Sequence, residues 1–386
     1  MLIILFLLGL VLFISLKIGK EVFIANFVVL LGAMILHFVI YLEYNLGITT
    51  DYFLSDEIFY LSEYFRGNVD WQTGNVESRK LWFIINGALI DTGAADVIFK
   101  MVNIPFLLLL NCYFYLLSEK NKLALWLPFI LPYLLFISVT NLRDVLIFMS
   151  LLGMIYHAFQ IGMGHKLLAF VFALLLFNLR PFSLFIGAGV IVGFMIFQRD
   201  RQIKTLAKIV VLMVIALVAV ILAPMLKGYY DTVIYVLSTP GVLREGHRGF
   251  GAFDVVEYFV RSFLAPFPST LAIMLSQGET HSGWGYAHDI IRILNQLSVM
   301  ALFVVLGWKS LVALINRRIF DMFEFGKYGK ILVIIFFFHT LAYALYSAGT
   351  MHSRLHLFGN LMILVLVMSV YNNRDNRQAT NLPNIM

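Results

Sequence analysis

The chain has little charge and almost no cysteine. Only 13% of its 386 residues are Asp, Glu, Lys or Arg, against roughly 25% in soluble domains. With 61% apolar residues and a mean hydropathy of +0.88, too little polar surface remains to clothe a water-soluble globule. The single cysteine, Cys112, excludes a disulfide framework and a thiolate metal site. No internal repeat, low-complexity tract or separate soluble domain breaks the pattern. The first apolar run lacks a small-residue cleavage signature and is followed by Lys17 and Lys20. It therefore reads as a retained first span rather than a signal peptide.

What the chain does have is a succession of apolar runs near the length needed to cross a bilayer. Residues 1–16, 22–41, 97–117, 123–140, 145–161, 209–226, 293–315, 331–347 and 357–371 each predict a span. Residues 81–90 are apolar but too short to cross, and predict an interfacial or re-entrant helix within a polar outer segment at 43–96. Residues 167–197 would form one very long span, but Asn178, Arg180 and Pro181 interrupt it. An arginine in mid-bilayer costs roughly 2.5–3.5 kcal/mol, and a proline breaks the helix. Two spans joined by an outer turn are therefore expected, which also keeps Lys166 and Arg199 on the same side.

The expected architecture is an all-α, polytopic integral membrane protein. It has one membrane domain over residues 1–386, about eleven transmembrane helices and one large outer loop at 227–292. Lys17, Lys20, Lys120, Lys122, Lys166, Arg199, Arg201, Arg317, Arg318, Lys327 and Lys330 all fall on one side. The positive-inside rule makes that side cytoplasmic. The net charge of +6 is then a topology signal, and no nucleic-acid partner is expected.

With the inner charges accounted for, the outer ones stand apart. Arg143 in "NLRD", Arg180 in "NLRPFS" and Arg354 in "MHSRLH" lie in short outer connections, where the rule disfavours arginine. The large loop adds Arg244, His247 and Arg248, and His352 accompanies Arg354. Guanidinium groups hold phosphate bidentately and keep their charge at any physiological pH. Placed at the membrane surface, such a set suits a lipid-linked phosphate or pyrophosphate. Taken singly, Arg143 beside Asp144 also reads as a helix-end ion pair, and Arg180 as a snorkelling side chain. The set as a whole is harder to explain that way, because charge near the membrane is costly.

The acidic counterpart is Asp56-Glu57-x-x-Tyr60. A carboxylate held beside apolar surface suits a general base acting on a sugar hydroxyl. The plainer alternative is a helix N-cap at Ser55 or Asp56. His247, His281 and His288 lack the spacing of metal ligands, so no metal and no cofactor are expected. Trp71, Trp284, Tyr229, Tyr230 and Tyr286 suit either sugar stacking or an interfacial aromatic belt. His37, His157 and His339 lie in apolar runs and are expected to be satisfied packing residues.

This layout resembles the bacterial surface-polysaccharide polymerases of the Wzy and EpsG-like type, within the wider GT-C-like membrane glycosyltransferases. The resemblance rests on "SDEIFY" at 55–60, "ESRKLWFIINGALIDTG" at 77–93, "NLRDVLIF" at 141–148, "LRPFSLFIG" at 179–187 and the late outer loop. It covers most of the chain as layout and loose pattern. GT-C enzymes usually carry their acidic motif after the first span, whereas here two spans precede it, which favours the EpsG-like branch. The resemblance implies polymerisation of undecaprenyl-pyrophosphate-linked repeat units of O-antigen, capsule or exopolysaccharide on the outer face of the bacterial inner membrane. It implies catalytic roles for Asp56, Glu57, Arg143 and Arg180. Tyr60, Asp144, Arg244, His247, Arg248, His352 and Arg354 would contact substrate. The implied partners are the polyprenyl-linked glycan, membrane lipid, a chain-length regulator and a flippase. The alternatives are a GT-C transferase adding one sugar from a polyprenyl-phosphate donor, a lipid-linked glycan transporter or flippase, and a non-catalytic scaffold.

Overall fold

The computed structural model describes residues 2–49, 52–53, 57, 80–91, 96–197, 285–316, 323, 325–347 and 357–380. Among these residues the chain is helical and contains no strand. In order, the helices are α1 (Leu2–Ile18), α2 (Lys20–Asn45), α3 (Lys80–Asp91), α4 (Asp96–Met101) and α5 (Ile104–Leu117). A 3₁₀ turn at Lys122–Trp126 leads to α6 (Leu127–Ile130) and α7 (Pro132–Ser138). Then come α8 (Asp144–Phe159), α9 (Met163–Leu179), α10 (Pro181–Phe197), α11 (Tyr286–Ile315), α12 (Gly329–Ser347) and α13 (Leu357–Thr380).

Three segments are long and apolar enough to cross a membrane: Lys20–Asn45, Asp96–Leu117 and Tyr286–Ile315. Several others are apolar but shorter. Large apolar side chains also cover outward faces, with Phe6 69%, Ile35 65%, Leu167 62% and Val304 69% exposed. Water would penalise such surfaces, whereas lipid would not. Both features are compatible with a membrane-embedded protein.

The interruption at Asn178–Pro181 separates two helices. Chain direction follows from the packing against α8. Gly153 of α8 faces the Phe172 ring of α9, with no room for a Cβ, while Gly187 of α10 faces Leu151 and Met154. His157 meets His165 at one end of α8, and Asp144 meets Arg180 at the other. Phe159 packs on Phe194. Helix α9 therefore runs antiparallel to α8, and α10 parallel to it. Glycine at these crossings lets the helices approach closely, as is common in membrane bundles.

Extending the same reasoning places the helix ends in two groups. One holds Lys120, Lys122, Lys166, Lys327 and Tyr328: the Glu119 carboxylate accepts from the Lys327 amide, and Gln160 donates to Tyr328 Oη at 3.1 Å. The other holds the residue 140–144 connection, Arg180, His339 and Phe358, with Phe182 against His339 and Phe358 stacked on it. Basic residues dominate the first end.

Two boundaries differ from expectation. The run at 123–140, expected as one crossing, is broken into the 3₁₀ turn, α6 and α7, because Pro128 and Pro132 remove amide donors and force new starts. Its Leu125 carbonyl is satisfied by Asn111 Nδ2 at 3.0 Å. Helix α11 begins at Tyr286, so residues 286–292 belong to a helix rather than to the large loop. The start of α11 is capped from another helix: Glu43 of α2 accepts from the Ala287 amide at 2.8 Å. Gly285, at φ +95, leaves space for that carboxylate, which any Cβ would strike.

A polar knot fixes α1, α2 and α5 to one another. Asn26 Nδ2 donates to Ser15 Oγ (2.7 Å) and the Leu108 carbonyl (3.2 Å), while Asn111 donates to Asn26 Oδ1 (2.8 Å). Cys112 is buried beside it.

Candidate functional site

The site is organised by the short connection between α7 and α8, residues 139–143. Its backbone is buried, and side chains from other segments bond its polar groups. Asn103, between α4 and α5, donates to the Thr140 carbonyl at 2.7 Å and the Leu142 carbonyl at 2.5 Å. Trp82 Nε1 of α3 donates to the Asn141 carbonyl at 3.3 Å. The Asn141 amide donates to Glu57 Oε1, and Asn141 Nδ2 donates to Asn86 Oδ1 at 2.6 Å. A buried non-helical backbone needs such partners, since an unmet group costs about 1–3 kcal/mol.

This frame holds the charged residues that follow. Arg143, 8% exposed, donates through a guanidinium nitrogen to the Leu179 carbonyl at 2.6 Å. That carbonyl is free of the helical ladder because α9 ends there, at the Arg180–Pro181 break. Arg180 itself reaches Asp144 at 3.5 Å and lies over the Phe182 ring at 5.6 Å. Asp144 is in the first turn of α8, where the helix dipole favours a negative charge. Two guanidinium groups and a carboxylate therefore converge on the junction between α8, α9 and α10. Such an arrangement is suited to an anion with several oxygens, because each guanidinium offers a planar fork of donors.

Glu57 is fully buried and pairs with Lys100 at 2.6 Å. The Lys100 ammonium also sits over the rings of Tyr52 (5.1 Å) and Phe53 (5.0 Å). Burial first, then the Glu57 carboxylate, pushes the Tyr52 phenol well above its ordinary range. Tyr52 is close to His37 Nε2, at 3.5 Å from its hydroxyl. The carboxylate of Glu57 is thus turned toward the loop backbone and a lysine, not toward an open face.

Of the residues singled out in the sequence, the structure brings Glu57, Arg143, Asp144 and Arg180 around this one connection. Asp56, Tyr60, Arg244, His247, Arg248, His352 and Arg354 lie outside the described residues. The histidines of the apolar runs differ from one another. His157 bonds His165 (Nδ1 to Nδ1, 2.8 Å) and Tyr113 Oη (3.0 Å) at the basic end. His339 is bonded through Nδ1 to the Ile335 carbonyl (2.8 Å), while its buried Nε2 has no partner. Among the described residues, no group of three or more His, Cys, Asp or Glu is arranged to hold a metal ion.

Sequence reasoning missed Lys100, Asn103, Asn86 and Trp82. Lys100 carried a signal, being a charge inside the apolar run at 97–117. The two asparagines and the tryptophan carried none, because their role depends on which loop the fold brings to them. No family model, curated protein or solved structure matches the chain.

Proposed function

We propose that the chain is a multi-pass glycosyltransferase of the bacterial inner membrane that polymerises lipid-linked oligosaccharide repeats on its outer face. In this reading it crosses the membrane about eleven times, and the end bearing the residue 140–144 connection faces outward. The observation that carries the proposal is the convergence of Arg143 and Arg180, from separate segments, on one junction opposite the basic end. That is where the pyrophosphate of a polyprenyl carrier would lie, and charge there needs compensation.

The reaction joins two lipid-linked units. A hydroxyl at the non-reducing end of one attacks the anomeric carbon of the other, and a new C–O bond forms. The bond from that carbon to the pyrophosphate oxygen breaks, and its electron pair leaves with undecaprenyl pyrophosphate. Arg143 and Arg180 stabilise the charge that develops on the leaving group, typically the largest catalytic term. A base takes the hydroxyl proton. Both Glu57 oxygens are engaged, by Lys100 and by the Asn141 amide, so Asp56 is the carboxylate of the pair assigned to that step. Arg244, His247, Arg248, His352, Arg354 and Tyr60 are assigned to substrate recognition.

The test is polymer formation by Arg143→Ala and Arg180→Ala in a strain lacking the native copy. Each is expected to lose polymer, by about 10²–10³ in rate, with normal amounts of protein in the membrane. Normal polymer from both variants would overturn the assignment. If wild-type product carries one added sugar rather than a ladder of repeats, the single-sugar transferase is correct instead. A second reading, transport of a lipid-linked glycan, is favoured by the broken segment at 122–138, since transporters use discontinuous helices. It predicts that lipid-linked repeats stay on the inner face when the protein is absent.

A further inference from the structure

The ion pair between Glu57 and Lys100 is buried and far from the basic end of the bundle. Side-chain exposure is 0% for Glu57 and 2% for Lys100. Two charges in such a place must recover a large desolvation cost, and replacing such a pair by well-packed apolar residues is often neutral or stabilising. What distinguishes this one is the third member. Glu57 Oε1 accepts the amide of Asn141, two residues before Arg143, and Lys100 holds Oε2 at 2.6 Å. The carbonyl of that same peptide, Thr140's, accepts from Asn103 at 2.7 Å, and Trp82 meets the Asn141 carbonyl of the next one. The peptide is thus clamped from both of its polar ends, and the direction of the chain into Arg143 and Asp144 is set by that clamp.

We propose that Glu57 and Lys100 act as one positioning unit for the arginine site. Lys100 holds the Glu57 carboxylate in place, and Glu57 fixes the Asn141 peptide so that Arg143 reaches the α9–α10 junction. The inference rests on the reading that Arg143 and Arg180 bind the carrier pyrophosphate. It assigns a function to Lys100, and it makes the two residues unequal. The essential feature at position 57 is an acceptor for the Asn141 amide, while the charge at position 100 matters only as long as position 57 is charged. Swapping the two charges should therefore not restore the site, because a lysine at 57 has no acceptor to offer.

The experiment measures binding of undecaprenyl pyrophosphate to the purified full chain in nanodiscs, with thermal unfolding recorded for each variant. Lys100→Met is expected to weaken binding about tenfold or more, a coupling typical of contacting residues. Combining Glu57→Gln with Lys100→Met removes the uncompensated charge and keeps an amide oxygen for Asn141, so binding should return to within about threefold of wild type. Combining Glu57→Leu with Lys100→Met has no acceptor and should remain weak, even where its unfolding temperature matches that of the glutamine variant. Equal binding by the two double variants would overturn the proposal. If Arg143→Ala and Arg180→Ala bind like wild type, the pyrophosphate reading fails instead, which separates the two claims. Hydrogen exchange on the wild-type chain needs no variant. The Asn141 amide should be protected before any ligand is added, and exchange at the rate of an open loop would equally overturn the clamp.

Discussion

Replacing Asn103 tests how far the residue 140–144 connection depends on side chains from outside it. Asn103 is fully buried, and its amide nitrogen meets two carbonyls, of Thr140 at 2.7 Å and of Leu142 at 2.5 Å. A hydrogen bond contributes about 0.5–1.5 kcal/mol in a folded protein and averages about 0.6 between helices in a membrane. Losing both in Asn103→Leu should then cost about 1–3 kcal/mol. Part of this is offset, since the buried Asn103 Oδ1 has no partner and its removal is favourable. Asn103→Asp is the sharper test. It keeps the shape but sets a carboxylate against two carbonyls, so it should destabilise more than leucine does. Thermal unfolding of the purified protein in detergent gives the order wild type, Leu, Asp, and polymer yield should fall in the same order. An aspartate variant as stable and as active as wild type would refute the idea that the loop is held by donation from Asn103.

Further consequences can be checked separately. Gly153→Leu should be destabilised by about 1–3 kcal/mol, because a Cβ at Gly153 already meets the Phe172 ring at 2.7 Å; unfolding temperature reports it, and an unchanged value would contradict the packing of α8 on α9. Glu43→Ala removes the cap on α11 and should cost about 0.5–2 kcal/mol, with Glu43→Gln losing less because it keeps an acceptor. For topology, Cys112 is buried and should stay unlabelled. A cysteine placed at Lys120 should react with a membrane-impermeant thiol reagent only from the cytoplasmic side, and one at Tyr286 only from the outer side. The reverse pattern would invert the proposed orientation.

Much of the helical layout was legible in the sequence. A proline following an arginine inside a long apolar run marked the turn between α9 and α10, and the structure places two antiparallel helices there. The same kind of signal, Pro128 and Pro132, was present at 123–140 yet was outweighed by the apolar length of the run, which is why a broken segment was read as one span. Arg143 and Arg180 stood out because arginine is rare in short outer connections. The partners that hold them did not stand out. Asn86, Asn103 and Trp82 are ordinary residues on or between helices, and only tertiary packing makes them donors and acceptors for one loop. Glu57 stands out beside apolar residues, but a one-dimensional pattern does not show that a lysine over forty positions later would pair with it.

The most direct test of the central claim is the lipid-linked glycan profile of a strain lacking this protein, compared with the same strain carrying Arg180→Ala. The account predicts that both accumulate single undecaprenyl-pyrophosphate-linked repeat units on the outer face and form no polymer. A normal polymer ladder in either strain would contradict it.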